Sequence, residues 1–413
     1  MKLMIKPYNI GMFFLLFFLI EPAYFTTIPF FHQIYNIIGY VIFFGVIVYI
    51  FITYEKNLKV LLTRPGVYFV SLFLILFIST YLKQGTLFLV LRDNKAALSL
   101  LLLTMIEMNN RPQMYIETVA QFDIYIFINL CTILLFPGGL YQIIPDDSNA
   151  SIAYSCWFLG YKNPQIRVIL PLLFVRFLHD FLNKNKLSVR SWLCMAFAVA
   201  STLITQSGTG ITGLTVFLGI LLIAVFWEKI YKYFFSIKVI IALVIIAVVF
   251  FVVNQIQFSN NVLSDVIENF YGKSLTFTAR TSIWTSALSL ISQAPIIGYG
   301  YNNSTGFAEL FSFYWPVAHP HNYYLYLFMS GGIILFALFV IIVVYLIKQL
   351  KTTNHEIVVK ICSAFLSAVF IMGITESLTD FVFLYSMMYI CCYIPAHKRI
   401  LKPTITNLTS KNI

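Results

Sequence analysis

Apolar residues in this chain neither alternate nor form isolated stripes. They run on, in stretches of about 18 or more residues separated by short polar segments, and a helix of that length crosses the roughly 30 Å hydrocarbon core of a bilayer. Twelve such spans are read, at approximately 8–29, 34–54, 66–82, 86–107, 117–136, 164–182, 190–206, 209–227, 238–254, 322–347, 357–374 and 380–396. The pattern predicts an all-α polytopic membrane protein of about twelve transmembrane helices, with 1–413 forming one membrane domain. The first run continues through Glu21 and Pro22 without a small-residue cleavage site, so it is expected to remain as a span and not to be removed as a signal peptide.

Composition sharpens this picture. Of 413 residues, 60% are hydrophobic and only 10% charged, against about 25% charged in ordinary soluble domains, which excludes a soluble enzyme. The net charge of +11 is spread between apolar runs, so it reads as topology and not as a nucleic-acid surface. With a cytoplasmic N-terminus, 19 of the 27 Lys and Arg fall in inside segments, which places both termini in the cytoplasm. Cys131, Cys156, Cys194, Cys362, Cys391 and Cys392 lie in or beside apolar runs without metal-binding spacing and read as small membrane hydrophobes.

Two outer segments are long: 137–163 and the 66-residue stretch 255–320 between the ninth and tenth spans. The second is too aromatic to be disordered, and function is expected there. Within it, 278–293 reads as an amphipathic helix, with Ile283, Trp284, Ala287, Leu288 and Ile291 on one face and Ser282, Thr285, Ser286, Ser289 and Gln293 opposite. Thr278 is its expected N-cap and Pro295 its stop. Such a helix would lie on the outer membrane surface or across the mouth of the bundle.

Candidate chemistry gathers near this loop. Arg280, in the first turn of the loop helix, combines a two-pronged donor with unpaired backbone N–H groups, a combination suited to phosphate or pyrophosphate. The alternative is an interfacial arginine bound to lipid head groups or to Glu268. His321, in His319-Pro320-His321-Asn322, stands where the tenth span begins, with Pro320 suited to the first helical turn. A helix N-terminus disfavours imidazolium, so His321 is expected neutral and able to accept a proton; the alternative is a capping residue at headgroup level. His319 and His321 also suggest a metal pair, but no carboxylate or cysteine accompanies them. Charges inside spans add Glu21; Arg92, Asp93 and Lys95; and Arg167, Arg176 and Asp180. Arg167, near Lys162 and Asn163, is placed to join Arg280 around an anion, whereas Arg176 is expected to pair with Asp180 four residues on. Arg92 and Lys95 either face a central cavity or form a local ion-paired kink with Asp93. Gly298-Tyr299-Gly300 reads as a turn.

The order Ala279-Arg280-Thr281, Ile283-Trp284, Pro295, Gly298-Tyr299-Gly300, His321-Asn322 and Gly331-Gly332 resembles the O-antigen ligase and polymerase superfamily, bacterial membrane glycosyltransferases that use undecaprenyl-pyrophosphate-linked sugars. Gly160 to Pro164 and Ser207-Gly208-Thr209-Gly210 are weaker echoes. The resemblance implies a GT-C-like fold in the inner membrane with a periplasmic loop, Arg280 on pyrophosphate, and His321 activating the acceptor hydroxyl. Arg167, Arg92, Asn322, His319 and Lys162 would complete substrate binding, with no metal or cofactor. The implied partners are the lipid-linked glycan donor and acceptor, the bilayer and a chain-length regulator protein. Many relatives carry an arginine where Gly208 stands, which leaves Arg167 or Arg92 to supply the second phosphate contact. That departure favours a polymerase of the Wzy type over a ligase, which would transfer to lipid A core; a flippase is disfavoured because no matched pair of glycine- or proline-broken spans is seen.

Overall fold

A computed structural model describes residues 7–143, 153–227, 229–231, 277–311, 319–351, 356–378 and 381–396. The chain is mostly helical: α1 (Pro7–Leu19), α2 (Ala23–Thr26), α3 (Pro29–Ile52), α4 (Tyr54–Leu61), α5 (Arg64–Leu82), α6 (Leu87–Asn110), α7 (Pro112–Ala120), α8 (Ile124–Leu135), α9 (Ile166–Lys184), α10 (Val189–Ile204), α11 (Gly208–Phe226), α12 (Phe277–Gln293), α13 (Ser304–Phe311), α14 (Tyr323–Lys351), α15 (Glu356–Thr375) and α16 (Leu384–Ala396). Among the described residues, five segments are long and apolar enough to cross a membrane: Pro29–Ile52, Arg64–Leu82, Pro112–Leu135, Tyr323–Lys351 and Glu356–Thr375. The helices Asn9–Leu19, Val189–Ile204, Gly208–Ala224 and Leu384–Ile394 are apolar but shorter. The span read at 238–254 lies outside the described residues, as does Glu268.

Local chemistry explains where these helices start and stop. Thr63, Ser188 and Ser207 each cap a helix with the side-chain oxygen, which accepts from the N–H of Gly66, Ser191 and Gly210 respectively. The first span departs from its reading. α1 ends at Leu19 and a separate turn of helix follows Pro22, because proline supplies no N–H and crowds the preceding turn. The fifth is also interrupted, by a 3₁₀ turn over Gln121–Asp123. There the Arg176 guanidinium donates to the Ala120 carbonyl at 2.6 Å and withdraws it from the helical ladder.

The all-α expectation needs amending in the segment 137–163. Tyr141–Ile143, Tyr154–Trp157 and Gly160–Tyr161 form a three-stranded antiparallel sheet, β1 to β3, with Tyr141 opposite Cys156 and Cys156 opposite Tyr161. Strands this short and aromatic carry little periodicity, so they are hard to read from sequence. The turn between β2 and β3 is pinned to α8, where Leu159 N donates to Asn129 Oδ1 at 3.0 Å. Asn129 in turn donates to Gln165 Oε1 at 2.9 Å, and Gln165 donates to the Gly160 carbonyl at 3.0 Å. Sheet, α8 and the start of α9 are thereby locked together, and Arg167 sits in the first turn of α9.

α11 packs along α15, α14 along α5, and α16 along α6. The core is continuous through these contacts, with Phe174 stacked on Phe365 at 4.5 Å between ring centroids. α14 is broken at Gly332, whose φ of 61° lies in the left-handed region that suits glycine. The segment after α12 fills the break: Ile333 N donates to the Pro295 carbonyl at 2.8 Å, and Tyr299 N donates to the Met329 carbonyl at 2.7 Å. Backbone groups freed inside an apolar bundle must find such partners.

Candidate active site

The predicted loop helix is present as Phe277–Gln293, one residue earlier than the proposed Thr278 cap. Ile283, Trp284 and Ala287 are buried, Thr285, Ser289 and Gln293 exposed. It packs on α14, across the bundle, and Trp284 Nε1 donates to the Pro320 carbonyl at 2.9 Å. That bond fixes Arg280, one turn earlier, beside the segment that carries the histidines.

The histidine segment differs from its reading. α14 begins at Tyr323, not at Pro320 or His321, and Asn322 is its cap: Asn322 Oδ1 accepts from Tyr324 N at 2.9 Å and Leu325 N at 3.0 Å. Asn322 Nδ2 donates to the Ile374 carbonyl at 3.0 Å, which ties the segment to the end of α15. Its amide is thus engaged with the scaffold. His321 stands just outside the helix with φ 48°, a conformation uncommon for non-glycine residues and associated with functional strain. Its backbone N–H donates to His319 Nδ1 at 3.2 Å, so neutral His319 carries its proton on Nε2. The two rings lie 4.1 Å apart at 62°.

Both histidines are held neutral, for reasons beyond helix position. Burial pushes the His321 imidazole down to about 2, helped by His319, Arg280 and Arg167. Burial, then Arg167 and Arg280, push His319 down to about 3. His321 Nδ1 is buried with no hydrogen-bond partner among the described residues.

The arginines meet on a residue that sequence reasoning missed. Glu376, just past the end of α15 and buried, has Oε1 3.5 Å from Arg280 Nη2 and Oε2 4.0 Å from Arg167 Nη2. Thr209, in the first turn of α11, donates its hydroxyl to Glu376 Oε1 at 3.0 Å. Arg167 Nη2 also donates to the Ser377 carbonyl at 3.1 Å. Burial and the charges of Tyr154, Cys156 and Glu376 raise the Tyr161 phenol above its ordinary value, which places β3 beside the same group. Lys162 lies next to it, its ammonium 5.7 Å from the Tyr161 ring centroid. An acidic segment between two apolar runs, with Glu376 and Asp380 four residues apart, was the available signal for Glu376.

The other predicted residues are elsewhere. Arg92 Nε pairs with Asp93 Oδ1 at 2.7 Å on α6, and Asp93 accepts from the Tyr301 hydroxyl at 3.1 Å. Lys95 donates to Asn36 Oδ1 at 2.9 Å. The expected Arg176–Asp180 pair is not formed. Arg176 Nε lies 2.8 Å from Asp123 Oδ2, while Asp180 accepts from Ser188 N and Ser191 Oγ, each at 2.6 Å. The 3₁₀ turn brings Asp123 to face α9, and Asp180 caps the start of α10 instead. Among the described residues no three His, Cys, Asp or Glu side chains are grouped to hold a metal ion.

One end of a helical membrane protein thus gathers two guanidiniums around one carboxylate, beside two neutral imidazoles, a chemistry suited to an anionic group and a hydroxyl. The Wzy_C family model, described as O-antigen ligase, matches residues 193–340. That stretch contains Thr209, Arg280, His319, His321 and Asn322, and supports the O-antigen ligase/polymerase superfamily resemblance and a function of that type. No curated protein and no solved structure matches the chain. Arg167 and Glu376 lie outside the matched residues, and the fold alone brings them in.

Proposed function

We propose that this protein is a polysaccharide polymerase of the Wzy type in the bacterial inner membrane, with both termini cytoplasmic, about twelve spans in a GT-C-like arrangement and the periplasmic loop 255–320. It transfers a growing glycan from undecaprenyl pyrophosphate to a sugar hydroxyl of an incoming lipid-linked repeat unit. The observation that carries this reading is the shared carboxylate: Arg167 and Arg280 converge on Glu376, next to two buried, neutral histidines.

In the proposed step, His321 takes the acceptor proton through its unpartnered Nδ1 as the hydroxyl oxygen bonds to the anomeric carbon. The bond from that carbon to the diphosphate oxygen breaks, and the arginines hold the negative charge that develops on the leaving group. His321 is a weak base in the empty site because burial and the arginines depress it. A diphosphate neutralises those arginines and removes their share of that depression when the donor is bound. Arg167 supplies the second phosphate contact in this reading. Lys162 and His319 border the substrate, and Arg92 contacts glycan farther along the loop through the Tyr301 side. A chain-length regulator protein is the expected partner.

The matching family, an O-antigen ligase family, favours a ligase as the second reading. The glycolipids of a deletion strain separate the two. Loss of a polymerase leaves lipid A core capped with a single repeat unit, whereas bare core with accumulated lipid-linked polymer would establish the ligase. Orientation is tested by cysteines placed at Ser304 and Asn185: an impermeant reagent should label the first from the periplasm and not the second.

A further inference from the structure

Glu376 is in the wrong place to help bind an anion, yet it is the residue both arginines touch. Tight guanidinium–carboxylate pairs close to about 2.7–2.9 Å, and here the two separations are 3.5 and 4.0 Å. The carboxylate is therefore shared between two cations and gripped tightly by neither. Its shortest contact is the Thr209 hydroxyl at 3.0 Å, at the second residue of α11, where the helix N-terminus favours negative charge. Gly208 beside it leaves open space, with nothing within 4 Å of where a Cβ would stand. The Thr209 hydroxyl thus holds the carboxylate at the start of α11 independently of the arginines.

We propose that Glu376 is a resident counter-ion, exchanged for the donor's diphosphate on binding and returned to the arginines on release. It keeps two buried guanidiniums paired in the empty site, where unpaired charge would be costly. It also competes with the spent undecaprenyl diphosphate, so that product leaves and the next lipid-linked glycan enters. Glu376 is a positioning residue in this scheme, acting through Arg167 and Arg280. The inference rests on the diphosphate reading of the site.

The sign of one measurement tests it. Inorganic pyrophosphate is titrated into the purified full-length protein in nanodiscs, as wild type, Glu376→Asp and Glu376→Gln. A competing counter-ion predicts that affinity rises in that order, by about tenfold or more for Gln, because a charge that opposes the anion is withdrawn and then removed. Polymerisation by Glu376→Gln should show a lowered KM together with a lowered kcat, since product release slows. A residue that merely orders the arginines predicts the opposite, and equal or weaker pyrophosphate binding in folded Glu376→Asp or Glu376→Gln overturns the proposal. If Glu376→Gln does not fold, Glu376→Asp alone decides the sign. Wild-type protein that binds no pyrophosphate, or binds it equally after Arg280→Lys, overturns the diphosphate reading itself and this inference with it.

Discussion

Two charge clusters sit on α9, about 14 Å apart along its axis, and they differ in kind. Around Arg176, Asp123 is held at 2.8 Å by Arg176 Nε and at 2.8 Å by Arg190 Nε, with the Cys194 thiol donating to the same carboxylate at 3.4 Å. Asp180 is held by Ser188 N and Ser191 Oγ, each at 2.6 Å, and by His179 Nδ1 at 3.4 Å. Around Arg167 the carboxylate contacts are longer, 3.5 and 4.0 Å. A buried carboxylate held closely by two guanidiniums fixes helices in place; one held at longer range can release its cations to something that arrives. Buried charge alone did not distinguish them in the sequence. The lengths of the ion pairs do.

The comparison is broken most directly by exchanging the expected consequences. His321→Ala should abolish polymer, a loss of about 10²–10⁴-fold for removal of a general base, while the purified protein unfolds at the wild-type temperature. Arg280→Lys should also lose most activity, because lysine keeps the charge but not the planar fork. Asp123→Ala should do the reverse and cost about 3–5 kcal/mol of stability by leaving Arg176 buried and unpaired, read by thermal unfolding. Polymer-forming His321→Ala, or a fully stable Asp123→Ala, would erase the distinction.

A smaller effect concerns the link between the elements. A Cβ at Gly332 would collide with the Ile296 carbonyl, and one at Gly298 with the Met329 carbonyl. Gly332→Ala should reduce activity more than stability, by shifting the loop that carries Arg280 relative to His321. A polymerisation assay beside a melting curve checks this. A further expected effect is on pH dependence. His319 and His321 titrate at about 3 and about 2 in the folded protein, against about 6.5 unfolded. The unfolded chain therefore binds more protons between those values, so stability should rise with pH up to about 6.5 and level off above it. The double variant His319→Ala with His321→Ala should flatten that slope in melting curves taken across the range.

Much of the site was legible because its residues stand at element ends that the hydrophobic pattern already marks. The face of α12, with Ile283, Trp284 and Ala287 inward, followed from 3.6-residue periodicity, and Arg280 followed from that helix. Arg167 and the histidines were placed by the same rule. Glu376 was not, because nothing local ties a glutamate after α15 to an arginine 96 residues earlier; only the packing of α11 along α15 and of α12 on α14 brings them together. The start of α14 was misread for a related reason. Pro320 signals a helix start, but the Asn322 side chain satisfies the first N–H groups and sets the boundary at Tyr323. Arg176 took Asp123 in place of Asp180 once the 3₁₀ turn had formed, a tertiary choice that i to i+4 spacing cannot foresee.

The stitch at Gly332 has a further consequence. From Pro295 to Tyr299 the bonds that seat the loop in the broken helix are main chain to main chain, and Ser79 adds a hydroxyl that donates to the carbonyl of Ser330 at 2.9 Å. Such a joint is largely indifferent to side-chain identity except at its glycines. Neighbouring loop positions such as Ile296, which is exposed, are therefore free to diversify while the spacing of arginine and histidine stays put. The architecture separates the main-chain joint that sets the spacing of arginine and histidine from the side chains around it, and so makes the loop evolvable.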